Sequence, residues 1–176
     1  YLALCHGFVL TGGNDPDTTA YGEPVHAQAE LTDPARQRFE SALLERLDSM
    51  RKPTLAICLG MQMMGLHHGA RLIQHLPDGM DADAAAIHRR GEHPIERTGD
   101  GAALLPAGGT VLSRHHQALA DGGRLAVAAR SPDGVIEAIA APDRPFYLGV
   151  QWHPERSADE RVGLGLFRRL VHCAGE

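Results

Sequence analysis

The sequence predicts an α/β fold, a three-layer sandwich with a mostly parallel central sheet plus a few antiparallel strands. Short apolar runs alternate with segments of helical period, and several of these runs end in small or polar residues. A turn signal near the end of the chain joins two further runs into a hairpin. The chain has 176 residues, of which 43% are hydrophobic, so we expect one domain over residues 1–176 with an ample core.

The first strand is predicted over residues 2–5 and 7–11, where an apolar run is bounded by glycines. It ends in residues 11–16, TGGNDP, and the paired glycines there let the backbone approach a ligand closely. Residues 17–32 follow as a surface loop. An ordinary turn is the alternative to a ligand-binding role for the glycine pair.

The next segment has the start signals of a helix, with Asp33 as the N-cap and Pro34 at the first helical position. Apolar residues then recur at spacings of four, four and three, which predicts one apolar helix face on the sheet. The residues of that face are Phe39, Leu43, Leu47 and Met50. Pro53 then closes the connection to the next strand.

Residues 54–62, TLAICLGMQ, predict a strand, a sharp turn and a helix, with Cys58 on the turn. A residue held in such a strained turn needs small neighbours two positions away, and Ala56 and Gly60 are small. The thiol would lie beside the first free N–H groups of the helix, which favour the thiolate. Cys58 is therefore a candidate nucleophile, and a buried structural cysteine is the alternative.

A histidine and a carboxylate, His153 and Glu155, stand two residues apart after another apolar run. Alternation in an extended segment puts both side chains on one side, and Pro154 favours extended backbone before it. The carboxylate could then hold the imidazole that serves the cysteine. A cysteine on a sharp turn and a remote, braced histidine form a nucleophilic constellation.

The middle of the chain is less informative, because its histidines are scattered among Gly, Pro, Asp and Ala. Their spacing matches no recognised metal-binding pattern, so we expect neither a metal nor another cofactor. These histidines are His67, His68, His75, His88 and His93. Residues 78–86 are predicted to be a mobile loop.

The last third predicts a strand at residues 109–113 and a hairpin of residues 125–129 and 135–139. A further strand over residues 146–151 delivers His153 and Glu155. A final amphipathic helix is expected to begin at the capping-box segment, residues 157–160.

Charge and cysteine content limit the class of partner and the compartment. The net charge is -5 and no dense Lys/Arg run occurs, which argues against nucleic acid or an anionic membrane as partner. The Arg89–Arg90 and Arg168–Arg169 pairs are expected on solvated surface. Three widely spaced cysteines indicate neither a disulfide framework nor a zinc pattern, which favours a reducing cytoplasm. No membrane helix and no signal peptide is expected.

Three segments together resemble the signatures of class I glutamine amidotransferases: residues 10–16, residues 56–62 and residues 151–155, QWHPE. The first of them, with residues 21–23 and 115–117, resembles the branch of gamma-glutamyl-gamma-aminobutyrate hydrolases, the C26 peptidases. The resemblance runs in order from about residue 7 to residue 155. Two departures are Ala56, where glycine is commoner, and Leu112, where asparagine is expected.

The resemblance implies hydrolysis of the amide bond of a small gamma-glutamyl compound through a glutamyl thioester, in putrescine catabolism. It implies a Cys58, His153 and Glu155 triad, and an oxyanion hole formed by the N–H groups of Gly13 and Leu59. The residues implied to bind substrate are Gly12, Gln62, His115, His116 and Gln117.

Relatives also imply two features outside these motifs. The region after residue 67 covers the active site in relatives, so residues 78–86 are a candidate lid. Relatives carry an opening strand and helix before the first strand found here, so we expect this amino-terminal region to be missing or truncated.

Two other functions stay open at this stage. One is a glutaminase subunit that delivers ammonia to a synthase partner, and the other is an inactive gamma-glutamyl-binding protein. The sequence leaves open which amine leaves and whether the chain forms a homodimer.

Overall fold

The computed structural model describes residues 1–175 and confirms the α/β class, with one seven-stranded sheet between helices. Its strand order is β1-β2-β9-β8-β7-β4-β5, and β3 and β6 form a separate antiparallel pair. The strands are β1 Phe8–Leu10, β2 Thr54–Ile57, β3 Leu72–Ile73, β4 Gly91–Arg97, β5 Gly109–Ser113, β6 Ala118–Leu119, β7 Ala126–Arg130, β8 Ile136–Ala140 and β9 Tyr147–Val150.

Helices cover both faces of the sheet, which confirms the three layers. The helices are α1 Pro34–Ser49, α2 Leu59–His67, α3 Ala82–Arg90 and α4 Leu164–Ala174. Leu44 of α1 and Met61 of α2 pack in one buried cluster with Ala56 of β2. Leu166 of α4 packs in the other cluster with Leu55, because successive strand residues point to opposite faces.

The share of parallel pairing is smaller than the sequence suggested. Strands β1, β2 and β9 are parallel neighbours, whereas β9-β8, β8-β7, β7-β4 and β4-β5 all pair antiparallel. A parallel pair needs a long crossover connection, and the short turn at residues 131–134 allows only an antiparallel hairpin. The predicted hairpin is thereby confirmed, and the sheet is mixed.

Helix α1 begins as predicted, since the Asp33 carboxylate accepts hydrogen bonds from the N–H groups of Ala35 and Arg36. The predicted apolar face is only partly confirmed: Leu47 is buried and Leu43 packs against the core, but Phe39 is 60% exposed and Met50 47% exposed. The buried residues of the helix are Gln37, Glu40, Leu44 and Leu47. Gln37 holds a neighbouring loop, because its Oε1 accepts from the Asp17 N–H and its Nε2 donates to the Asp17 carbonyl oxygen. Glu40 pairs with Arg36, as described below for the site.

Three other boundaries differ from the prediction. Residues 2–5 form a turn rather than a strand, and residues 82–86 belong to α3 rather than to a loop. The Asp81 carboxylate caps α3 by accepting from the N–H groups of Asp83 and Ala84. The last helix begins only at Leu164, after turns, so the capping-box segment does not start it.

The topology brings three chain segments to one edge of the sheet. Because β1, β2 and β9 are parallel neighbours, their carboxyl ends lie side by side. Gly12 follows β1, Cys58 follows β2 and His153 follows β9. Within residues 1–175, no helix has both the length and the apolar character needed to cross a bilayer.

Candidate active site

Cys58 occupies the turn between β2 and α2 with φ 51° and ψ −108°. A positive φ is costly for a residue with a side chain, so the turn is strained and must be held by its surroundings. The Cys58 N–H donates to the Val150 carbonyl over 2.8 Å. A Cβ atom at residue 60 would lie 2.6 Å from the Leu10 carbonyl oxygen, so only glycine fits there. The turn therefore has the geometry that the sequence predicted.

The thiol of Cys58 is buried, and burial raises its pKa to about 12. The N–H of Leu59 opposes this shift but is outweighed, so the helix terminus does not make a resting thiolate. The helix terminus therefore acts in the predicted direction, but desolvation of the charged form is the larger effect. At neutral pH the thiol therefore needs a base before it can act as a nucleophile.

His153 is fixed by a carboxylate, since its Nδ1 lies 2.7 Å from Oε1 of Glu155. Its ring and Cys58 both approach Gly12. A Cβ atom at residue 12 would lie 2.9 Å from Cε1 of His153, 3.7 Å from its Nε2 and 3.5 Å from Cβ of Cys58. The imidazole of His153 and the side chain of Cys58 therefore both border Gly12.

The loop that carries Gly12 and Gly13 is held by Arg36 of α1. The Arg36 Nη2 donates to the carbonyl oxygens of Thr11 and Gly12, over 2.9 and 3.1 Å, while its Nε donates to Glu40 over 2.8 Å. This explains why Glu40 is buried. The residue-13 backbone also lies against Leu59, because a Cβ there would be 2.9 Å from Cδ2 of Leu59. The two predicted oxyanion-hole residues are therefore neighbours.

A cavity of about 320 Å³ opens at Cys58. Six of the residues predicted from the sequence line it: Gly13, Cys58, Gln62, His115, His116 and Gln117. Among the described residues, the lining does not include Gly12, Leu59, His153 or Glu155. Cys58 is thus the one member of the candidate triad that lines the cavity, among the residues that the structure describes.

The side chains of Gln62 and Gln117 differ in their hydrogen bonding. Nε2 of Gln62 donates to Oε1 of Gln151 over 3.2 Å and lies 3.4 Å from the carbonyl oxygen of Gln117. The side chain of Gln117 is buried, and neither its oxygen nor its nitrogen has a hydrogen-bond partner. A buried, unpaired amide in a cavity wall is suited to bind a polar ligand.

The adjacent residues His115 and His116 contact different groups. His116 Nε2 lies 2.9 Å from Oδ2 of Asp15, and both residues line the cavity. The Nδ1–H of His115 donates to the carbonyl oxygen of Gln117, 2.8 Å away. Its Nε2 lies 3.6 Å from Oε1 of Glu137.

The cavity also contains charged residues that the sequence analysis did not assign to a site. They are Asp15, Glu30, Arg89 and Arg114. Asp15 belongs to the motif at residues 10–16, and Arg114 directly precedes the motif at residues 115–117. Their position in or beside a motif was therefore the available sequence signal for both. Arg89 was expected on solvated surface. It is exposed and also lines the cavity.

Comparisons with known proteins agree with these motifs. Residues 1–155 match the Peptidase C26 family. Protein Rv2859c of Mycobacterium tuberculosis is 40% identical over 98% of this chain and 57% of its own length. The gamma-glutamyl-gamma-aminobutyrate hydrolase PuuD of Escherichia coli K12 is 35% identical over 79% of this chain and 63% of its own length. This chain therefore spans little more than half of the length of the mycobacterial relative.

Solved structures share the fold at lower identity. A Thermoplasma acidophilum protein superposes with a TM-score of 0.66 over 97% of this chain and 73% of its own, at 19% identity. A glutamine amidotransferase of Thermotoga maritima superposes with a TM-score of 0.61 over 97% of this chain and 62% of its own, also at 19% identity. With the family match and the relatives above, the chain belongs to the Peptidase C26 family of glutamine amidotransferase-like proteins.

Proposed function

We propose that this protein hydrolyses the gamma-glutamyl amide bond of a small gamma-glutamyl compound through a glutamyl thioester on Cys58. The observation that carries the proposal is the position of Cys58. It lies on a strained turn and lines a polar cavity, and Gly12 lies close to both Cys58 and the imidazole that Glu155 holds. Family membership supports a hydrolase, and the relative from Escherichia coli is named for this class of substrate.

The burial of Cys58 determines the order of events in the proposed mechanism. Because the thiol is protonated at neutral pH, His153 accepts its proton as the sulfur attacks the amide carbonyl. Glu155 stabilises the imidazolium that results. The N–H groups of Gly13 and Leu59 would stabilise the oxyanion, and His153 then gives its proton to the leaving amine. In the second half, His153 activates the water that cleaves the thioester.

The charges in the cavity favour an amino-acid-like substrate. Asp15 and Glu30 are suited to an ammonium group, and Arg89 and Arg114 are suited to carboxylates. The unpaired side chain of Gln117 adds a donor and an acceptor. Gamma-glutamyl-gamma-aminobutyrate has an ammonium group and two carboxylates, so its charges complement those of the lining.

The test is glutamate release from gamma-glutamyl-gamma-aminobutyrate and, separately, from glutamine. We expect release from the first compound, loss of release in Cys58→Ala, and retention in Cys5→Ser, which changes a cysteine outside the site. Glu155→Gln should lower kcat by about 100-fold, since the base loses its orienting carboxylate. Mass spectrometry of quenched reactions should find one glutamyl group on the peptide that contains Cys58.

Three outcomes would contradict the proposal. Release from glutamine alone, stimulated by a synthase, would favour a glutaminase subunit. Calorimetric binding of the dipeptide by the folded protein without turnover would favour an inactive binding protein. Full activity in Cys58→Ala would exclude the proposed nucleophile.

A further inference from the structure

A second group of side chains adjoins the cavity, which only His115 of the group lines, and the proposed reaction does not use the group. It comprises His88 of α3, His93 of β4, His115 and Glu137 of β8. One donor atom from each lies within 4.8 Å of all the others, and all four residues are buried. His88 and His93 are five residues apart, whereas His115 and Glu137 come from later segments that the fold brings beside them.

The distances within this cluster are those of metal ligands. Oε1 of Glu137 lies 3.3 Å from Nδ1 of His88, 3.5 Å from Nε2 of His93 and 3.6 Å from Nε2 of His115. Tetrahedral Zn²⁺ with bonds of about 2.0–2.1 Å separates its donor atoms by about 3.3–3.4 Å. Small side-chain movements would therefore place four donors around one ion.

The other nitrogen of each imidazole already has an acceptor. His88 Nε2 lies 2.9 Å from Oδ2 of Asp133, His93 Nδ1 lies 3.0 Å from the Pro94 carbonyl oxygen, and His115 Nδ1 lies 2.8 Å from the Gln117 carbonyl oxygen. Metal-bound histidines almost always donate their second N–H in this way, which leaves a lone pair on the metal-facing nitrogen.

Several of the converging atoms have no hydrogen-bond partner although they are buried. They are Nδ1 of His88, Nε2 of His115 and both carboxylate oxygens of Glu137. His93 differs, because its Nε2 lies 2.6 Å from Oγ of Ser113. Leaving a buried carboxylate without a hydrogen bond is costly, and a cation at the centre of the cluster would remove that cost.

We propose that His88, His93, His115 and Glu137 form a binding site for a divalent transition metal ion, with Zn²⁺ as the best match. Three imidazoles and one carboxylate are a donor set that zinc accepts. Four protein ligands leave no open position for water or substrate, so the site is structural rather than catalytic. This site replaces the expectation from the sequence that no metal is bound.

The proposed ion would fix the wall of the cavity. His88 directly precedes Arg89, and His115 stands between Arg114 and His116. Arg89, Arg114, His115 and His116 line the cavity, whereas His88 does not. The ion would thus join α3, β4, β8 and residues 114–117 into one unit. Its effect on the cavity would be positional, since the site does not include Cys58.

The experiment is zinc binding by the whole chain. After treatment with a chelator and dialysis, the protein is given Zn²⁺, passed through a desalting column and analysed by plasma mass spectrometry. We expect about one Zn²⁺ per chain and a higher Tm than in the metal-free protein. Co²⁺ in its place should give the intense visible absorption of tetrahedral coordination.

Variants locate the ion. Glu137→Gln should lose the bound Zn²⁺, whereas His26→Asn should retain it, since His26 belongs to a separate cluster with His75 and Asp78. Asp133→Asn keeps all four ligands and should weaken affinity by about 10–100-fold. Because Asp133 is exposed, this variant stays informative if Glu137→Gln does not fold.

Either of two results would overturn the proposal. The first is folded wild-type protein that retains no Zn²⁺ and gives no tetrahedral Co²⁺ spectrum, which would make the cluster a set of charge-paired histidines. The second is binding that Asp133→Asn and Glu137→Gln leave unchanged, or that His26→Asn abolishes. None of these measurements depends on hydrolase activity.

Discussion

Gly12 lies so close to His153 that residue 12 cannot carry a side chain unless the imidazole moves. An added Cβ atom would be 2.9 Å from Cε1 of His153 and 3.5 Å from Cβ of Cys58. The glycine therefore sets the separation between the candidate base and the candidate nucleophile. This role is steric and does not involve a left-handed backbone, because Gly12 is not among the residues with positive φ.

Gly12→Ala should lower kcat for the gamma-glutamyl substrate by about 10–100-fold, since a shift of about 1 Å in a catalytic group has effects of this size. The matched control is Gly79→Ala, because a Cβ at residue 79 meets no atom within 4 Å and its φ is −125°. Steady-state kinetics and Tm are measured for both. A normal kcat in a folded Gly12→Ala protein would show that the imidazole does not need this space.

The high pKa of Cys58 predicts how its reactivity depends on pH. A group with a pKa of about 12 is protonated throughout the neutral range, so the thiolate fraction rises about tenfold per pH unit. We expect alkylation of Cys58 by iodoacetamide, without substrate, to accelerate from pH 6 to pH 9 with no plateau. Peptide mass spectrometry measures the alkylation of Cys58 separately from that of Cys5 and Cys173. A rate that stays constant across this range would indicate a resting thiolate–imidazolium pair.

Residues whose environment is local were predictable from the sequence. The Cys58 turn, the Asp33 cap and the 131–134 hairpin each depend on a few adjacent residues with special backbone preferences. The mixed sheet was harder to predict, because β4, which pairs with both β5 and β7, carries no strand signal that the sequence analysis recognised. Pro94 within β4 further concealed that strand.

In the candidate site, too, residues that lie in local motifs were predicted from the sequence, whereas residues that only the fold brings together were not. Cys58 and His153 were found because each lies in a motif, and the fold brings both against Gly12. Arg36 was missed, because its role depends on α1 packing beside the first strand's loop. The histidine and glutamate cluster was missed because the spacing of His88 and His93 matches no recognised metal-binding pattern, and His115 and Glu137 join them only in the fold.

Mutations on the buried and on the exposed face of α1 should differ in how much they lower the free energy of unfolding. Leu44→Ala should lower the free energy of unfolding by about 2–5 kcal/mol, because the side chain is fully buried and its loss leaves a cavity. Phe39→Ala should change it by no more than about 0.5 kcal/mol, because Phe39 is 60% exposed. Urea unfolding measures both. Equal losses would mean that Phe39 is covered in solution by a part of the protein or a partner beyond residues 1–175.

Gln117 should contribute to substrate binding at some expense to the stability of the free protein. Its buried amide lacks hydrogen bonds, so Gln117→Leu removes two unpaired polar atoms with little change in shape. We expect Tm to stay the same or rise, while KM for the gamma-glutamyl substrate increases about tenfold.

A neighbouring glutamine provides the contrast for this prediction. Gln151→Leu should lower Tm, because Oε1 of Gln151 is the acceptor for Nε2 of Gln62 and the buried donor would lose that partner. Thermal unfolding and steady-state kinetics of the two variants therefore distinguish a side-chain amide that binds the ligand from one that stabilises the fold. If Gln117→Leu instead lowers Tm and leaves KM unchanged, the amide is structural, and the charged residues of the lining must account for substrate binding.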